Sequence, residues 1–174
     1  LGIEPERRLG HGIEPDLVGL GVHALFKELY GTFAVEGLKE RFGELFGVHF
    51  PAGLFDTGEE TLFRELLRRN LLKVVDRDIE RFRDGVEVCG ELAEKELSAP
   101  IGTFPHLCLL RGRIDRVDRL PGGGYIIVDY KTGRLPRASD HFVEKGYVEV
   151  QLGVYGILFR KSYPGRIVEG LGYI

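Results

Sequence analysis

The order of periodicities along this chain predicts a mixed α/β domain: a mixed central sheet flanked by helices, with a helical portion on its N-terminal side. Three observations carry that expectation. Apolar residues recur at helical spacing from about residue 16 to about residue 84; after Gly85 the period shortens to two; and beyond a long polar stretch a helical stripe returns before a last strand-like run.

The elements follow in order. Leu1 to Pro15, punctuated by Gly and Pro, reads as a linker. Asp16 is placed to cap a helix to about Tyr30, with Leu20, His23, Phe26, Lys27 and Tyr30 along one stripe. A second helix is expected from about Phe33 to Phe46, on Val35, Leu38, Phe42 and Leu45, until Pro51 and Gly53 break it. Thr57 and Glu60 form a capping box that opens the longest helix, about Leu62 to Phe82, with Leu62, Leu66, Val74 and Ile79 inward and its Arg residues on a solvated face. Three strands follow as a meander: Leu92 to Ile101, Thr103 to Arg119 and Gly124 to Lys131, the last two joined by a Pro-Gly-Gly-Gly turn. In the second, Arg111, Arg113 and Asp115 share one face, and Arg116 and Arg119 read as surface charges. Thr132 to Tyr147 is a long polar loop holding Arg134, Arg137, His141 and Lys145, of a length that often accompanies function. A helix from Val148 to Arg160, with Leu152, Tyr155 and Phe159 on one stripe, and an edge strand within Arg166 to Ile174 complete the chain.

Composition sets bounds on function. The 174 residues suit one domain, and 43% hydrophobic with 29% charged content is ordinary for a globular chain. A net charge of −3 argues against a strongly basic nucleic-acid binder by composition but does not exclude a binder, because a few clustered Arg supply phosphate contacts locally. Cys89 and Cys108, with no CxxC, suggest neither a zinc site nor a disulfide framework, so a reducing cytoplasm is expected. No apolar run approaches the roughly 18 residues of a membrane helix, and nothing at the start reads as a signal peptide. A chain without Met that starts at Leu1 is expected to be a domain cut from a longer polypeptide.

The chemistry concentrates in Val128 to Gly133. An apolar run from Tyr125 to Val128 ends in Asp129, and Lys131 stands two residues on, so in a strand the acid and the lysine share a face while Tyr130 points away. The hairpin brings Asp115 alongside. Two carboxylates and an ammonium at adjacent strand ends call for a divalent cation with oxygen ligands, Mg²⁺ or Mn²⁺. Lys131 then stands where it can orient a nucleophile or offset negative charge developing on a phosphate. His23 is a further ligand or proton carrier if its helix crosses the strand ends. The Gly run at 122 to 124 lacks the Lys-Ser/Thr of a phosphate-cradling loop and reads as a turn.

Gly-Arg-Ile-Asp-Arg-Val-Asp from Gly112, Val-Asp-Tyr-Lys-Thr-Gly from Val128, Gln-Leu-Gly-Val-Tyr from Gln151 and Gly-Val-His-Ala-Leu-Phe from Gly21 together resemble the RecB-like branch of the PD-(D/E)XK nuclease superfamily. That branch includes the nuclease domains of bacterial helicase–nuclease complexes and CRISPR-associated exonucleases. The resemblance spans about Gly19 to Tyr155. It implies a restriction-endonuclease-like αβββαβ core within a single domain, helical over about 16–84 and catalytic over about 91–174. It also implies His23, Asp115 and Asp129 as metal ligands, Lys131 as the catalytic lysine, and Gln151 and Tyr155 as residues that support the site and contact DNA. Glu94 or Glu96 corresponds to an acid often found on the family's first strand. An iron–sulfur cluster held by four Cys, as in some members, is not expected within a chain with two.

The activity so implied is metal-dependent DNA hydrolysis, as an exonuclease in recombination or repair, with DNA and a helicase module as partners and no membrane. The rival class is a nuclease-like scaffold that binds DNA or protein without cutting.

Overall fold

The computed structural model describes residues 15–31, 35–103, 105–131 and 150–174. The expected linker at the N-terminus and the polar loop after Lys131 lie outside the described residues.

Helix α1 (Pro15–Gly31) buries Val18, Val22, Leu25, Phe26, Leu29 and Tyr30, a stripe at helical spacing. Leu20 and Lys27, expected on that stripe, face outward, and Asp16 lies in the first turn and does not precede it. Helix α2 (Leu38–His49) starts later than expected because Gly37, at φ 78, sets its N-terminus; Leu38, Phe42, Leu45 and Phe46 are buried. Helix α3 (Gly58–Arg83) opens on the reciprocal Thr57–Glu60 capping box. Its packed stripe runs through Arg64, Leu67, Leu71, Val74, Val75, Asp78, Ile79 and Phe82, so Leu62 and Leu66 fall on the opposite face, 61% and 47% exposed. A purely apolar pattern misses this stripe because it includes two charged residues. Arg64 hydrogen-bonds the Phe50 carbonyl at 2.7 Å and lies over the Phe46 ring, so it is no solvated residue.

The strands do not form one meander. Chain segments 87–101 and 108–119 run side by side, but their ladder is broken. Strand β1 (Glu87–Val88) is followed by a 3₁₀ turn at Gly90–Leu92 and by Glu94 at φ 53, and only then does β2 (Lys95–Ile101) begin. The facing strand splits at Asp115 into β3 (Cys108–Ile114) and β4 (Arg116–Arg119). β2 and β3 make a separate antiparallel pair. β4 joins β5 (Tyr125–Asp129) across the Leu120–Gly124 turn, where Gly123 takes φ 85. With β6 (Val168–Tyr173) parallel to β5, the main sheet has the order β1-β4-β5-β6. Helix α4 (Gln151–Ser162) packs Tyr155, Leu158 and Phe159 against the sheet residues Ile114, Val117 and Ile127. The helical core of α1, α2 and α3 is a second cluster, which Tyr130 enters from the end of β5. Helices and a mixed sheet in this order give a mixed α/β fold consistent with the restriction-endonuclease-like fold.

Between the helices and the sheet, Arg116 is 1% exposed and not the surface charge its sequence context suggests. Its guanidinium hydrogen-bonds Asp118 through Nε (2.6 Å) and Asp78 through NH1 (2.5 Å), and lies 4.5 Å over the Tyr30 ring. Tyr30 Oη donates to Asp78 at 2.7 Å, and Arg81 reaches both carboxylates. Arg119 is at the surface, paired with Glu87.

Burial alone would raise the Asp78 carboxyl, but the charge and hydrogen bonds of Arg116, with Tyr30 and Arg81, hold it below the ordinary 3.8. A lowered folded-state value means its contribution to stability is complete above the unfolded value and is lost as pH falls through the folded one. Urea midpoints should therefore drop when pH is taken from about 5 to below 3.8, and drop less in Asp78→Asn. At neutral pH that variant, which leaves Arg116 short of a partner, should lose roughly 3 kcal/mol on the same urea curves.

Candidate active site

The break in the strands builds a cluster of charged residues. At Asp115 the chain leaves β2 for β5, and its carboxylate turns inward, where the Tyr130 N–H donates to Oδ2 at 2.9 Å. Glu94, in the left-handed conformation that costs a side chain with Cβ about 1 kcal/mol or more, donates its N–H to the Asp115 carbonyl. Its carboxylate meets His23 Nδ1 at 3.0 Å, and the same nitrogen is 3.5 Å from Asp115 Oδ1. One ligand atom each from His23, Glu94 and Asp115 lies within 4.8 Å of the others. Between the two acids left open by spacing alone, Glu94 is the one that joins His23. Its other oxygen takes Arg113 Nε at 3.0 Å.

Asp129 and Lys131 stand on the same side, as their spacing requires. Lys131 Nζ lies 3.0 Å from Asp129 Oδ2 and donates to Gln151 Oε1 at 2.5 Å. Gln151 Nε2 faces Asp129 Oδ1 and Tyr155 Oη, each at 2.7 Å. Gln151 is the first residue of α4 and Tyr155 lies one turn on, so one helix face presents both. Tyr130 points the other way, stacked 4.8 Å from Phe26 and edge-on to His23 at 5.5 Å. The structure thus places the six expected residues in two groups, His23 with Asp115 and Asp129 with Lys131, Gln151 and Tyr155, adjoining where the Tyr130 N–H meets Asp115; the cluster of potential metal donors holds Glu94 where Asp129 was expected.

Charge here is only partly neutralised. Burial, with the nearby Asp129 and Glu94, pushes the Asp115 carboxyl up to about 7 against the opposing Tyr130 N–H and His23. The Glu94 hydrogen bond raises the His23 imidazole above 6.5, against burial, with the Asp115 charge adding to the rise. Burial would raise Glu94, but the His23 hydrogen bond and charge outweigh it, with Arg113 and Lys27 beside, and hold it below its ordinary value.

The model of the PD-(D/E)XK nuclease superfamily matches residues 1–173. The chain belongs to that superfamily. No curated protein matches it. Among solved structures it is similar to the crystal structure of SSO0001, at 19% identity and a TM-score of 0.31, over 91% of this chain and 59% of that one.

Superfamily nucleases use divalent metals, and the residues here fit one. One imidazole nitrogen and two carboxylates within reach of one point are donors that Mn²⁺ or Mg²⁺ accepts. Asp129 Oδ2 is buried and accepts no well-formed hydrogen bond, although Lys131 is near. A cation would offset the burial that, with the nearby Asp129 and Glu94, raises Asp115.

Two contributors went unread in the sequence. Arg113, whose sequence neighbour Asp115 offers a surface pairing, meets Glu94 instead. Gly112 lets α4 approach: a Cβ there would lie 3.0 Å from both Tyr155 Cε1 and Leu158 Cδ1. The Gly-x-x-Asp spacing was the available signal for it. Glu94→Gln should lower the metal-free His23 pKa toward 6.5, seen as a move to lower pH in the midpoint of its imidazole NMR titration; an unmoved midpoint would remove Glu94 as the cause.

Proposed function

We propose that this chain is a RecB-like, metal-dependent deoxyribonuclease domain, an exonuclease of DNA recombination or repair. The observation that carries the reading is the convergence of His23, Glu94 and Asp115 on one point, beside Asp129 and Lys131. His23, Glu94 and Asp115 would hold Mg²⁺ or Mn²⁺, while Asp129 Oδ2 lies 3.0 Å from the Lys131 ammonium. Bound there, the cation supplies charge that polarises a phosphodiester and acidifies water.

The chain's own groups do the rest. Lys131, with a quarter of its side chain open to solvent, presents an ammonium that offsets charge developing on the phosphate or orients the attacking water. Asp129 and Gln151 fix that ammonium, and Tyr155 fixes Gln151, so little reorganisation is needed when DNA arrives. The Tyr130 N–H orients Asp115 for whichever charge it carries.

The same resemblance supports a single domain over residues 1–174 working with a helicase module, and two Cys without a CxxC fit a reducing cytoplasm. The chain's modest acidity fits DNA affinity supplied partly by such a module.

Linear DNA incubated with the chain and Mn²⁺ should be degraded, and a chelator should stop it; no loss of DNA would favour the non-cleaving scaffold. Lys131→Ala should reduce cleavage by about a hundredfold or more while the circular dichroism melt stays within a few degrees, since the ammonium lies outside the apolar clusters. A cleavage rate equal to the parent's would take Lys131 out of the mechanism. Asp115→Asn should weaken Mn²⁺ binding, followed by calorimetry, together with activity.

A further inference from the structure

A single buried guanidinium meets α1, which carries His23, and lies on the chain directly after Asp115, so it adjoins two of the three donor groups. Arg116 follows Asp115 directly in the chain. The Tyr130 N–H holds Asp115 Oδ2 at 2.9 Å. Through Asp78 the guanidinium reaches Tyr30, which stands two turns along α1 from His23 on the same side of that helix. Asp118, on the same strand, takes its Nε and NH2, so the fork is engaged on two carboxylates at once. Arg116, Asp78 and Asp118 are all 2% exposed or less.

We infer that Arg116 is a positioning residue for the candidate metal site: its planar fork on Asp78 and Asp118 sets the height of α1, and so of His23, over the strand ends that carry Asp115 and Tyr130. It touches neither DNA nor the reacting phosphate. A lysine cannot take its place, because an ammonium lacks the fixed geometry that engages two carboxylates and an aromatic face together. This rests on reading His23, Glu94 and Asp115 as a metal donor set.

The test uses the full chain with ¹⁵N-labelled histidine. Tyr30→Phe removes only the hydroxyl that ties α1 to Asp78, and Arg116→Lys keeps the charge while removing the fork. Two quantities are read: the His23 imidazole nitrogen resonance without metal or DNA, and the Mn²⁺ dissociation constant. In both variants the His23 resonance should move toward that of a free imidazole and the dissociation constant should rise roughly tenfold. Val75→Ala, a core truncation in α3 that lowers stability while removing no hydrogen-bonding member of the network, should leave both readings unchanged. Parental values for both readings in folded Tyr30→Phe would overturn the inference, as would equal shifts in Val75→Ala. If Arg116→Lys does not fold, Tyr30→Phe decides. The imidazole reading needs neither metal nor DNA, so a chain that cuts nothing still tests the positioning role. Cleavage that depends on Lys131, with the His23 resonance unmoved in Tyr30→Phe, would sink the positioning role and leave the nuclease reading standing.

Discussion

Arg116 resolves the problem that this fold sets for itself: carboxylates withdrawn from water on both sides of one sheet edge. Behind the edge, Asp78 and Asp118 are met by a guanidinium that engages both, with Tyr30 and Arg81 completing the set. Truncating one member of such a set strands a buried charge, which costs far more than the set contributes net. The helices are therefore held at a defined height over the strands by a polar network as well as by apolar packing.

In front of the edge the balance is different. Glu94, Asp115 and Asp129 face His23 and Lys131, while Arg113 reaches Glu94 from a half-exposed position. Burial first, and this surplus with it, pushes the Asp115 carboxyl up to about 7, and a buried Asp129 oxygen is left without a well-formed hydrogen bond. A protein interior tolerates such a surplus when a cation or an arriving ligand completes it. Satisfied behind and incomplete in front, the two halves share Asp115–Arg116 and Tyr130 as their common wall.

Local structure was legible where a short-range rule governs it. The Thr57–Glu60 box, the hairpin turn with Gly123, and the pairing of Asp129 with Lys131 on one face each follow from bonding or periodicity within a few residues. The inward face of α3 was misread in part because Arg64 and Asp78 belong to it, and only their distant partners make that burial affordable. The same is true of Arg116, whose neighbours in the chain look like a surface.

By itself the sequence determined the element types, their order, and the motif residues that identify the family, because periodicity and spacing are properties of the chain alone. The tertiary structure decided that one long strand is two, broken at Asp115, and that Glu94 and not Glu96 meets His23. Those outcomes depend on which segments pair across the sheet, and a backbone in the left-handed region at Glu94 is stable only when contacts far along the chain hold it there.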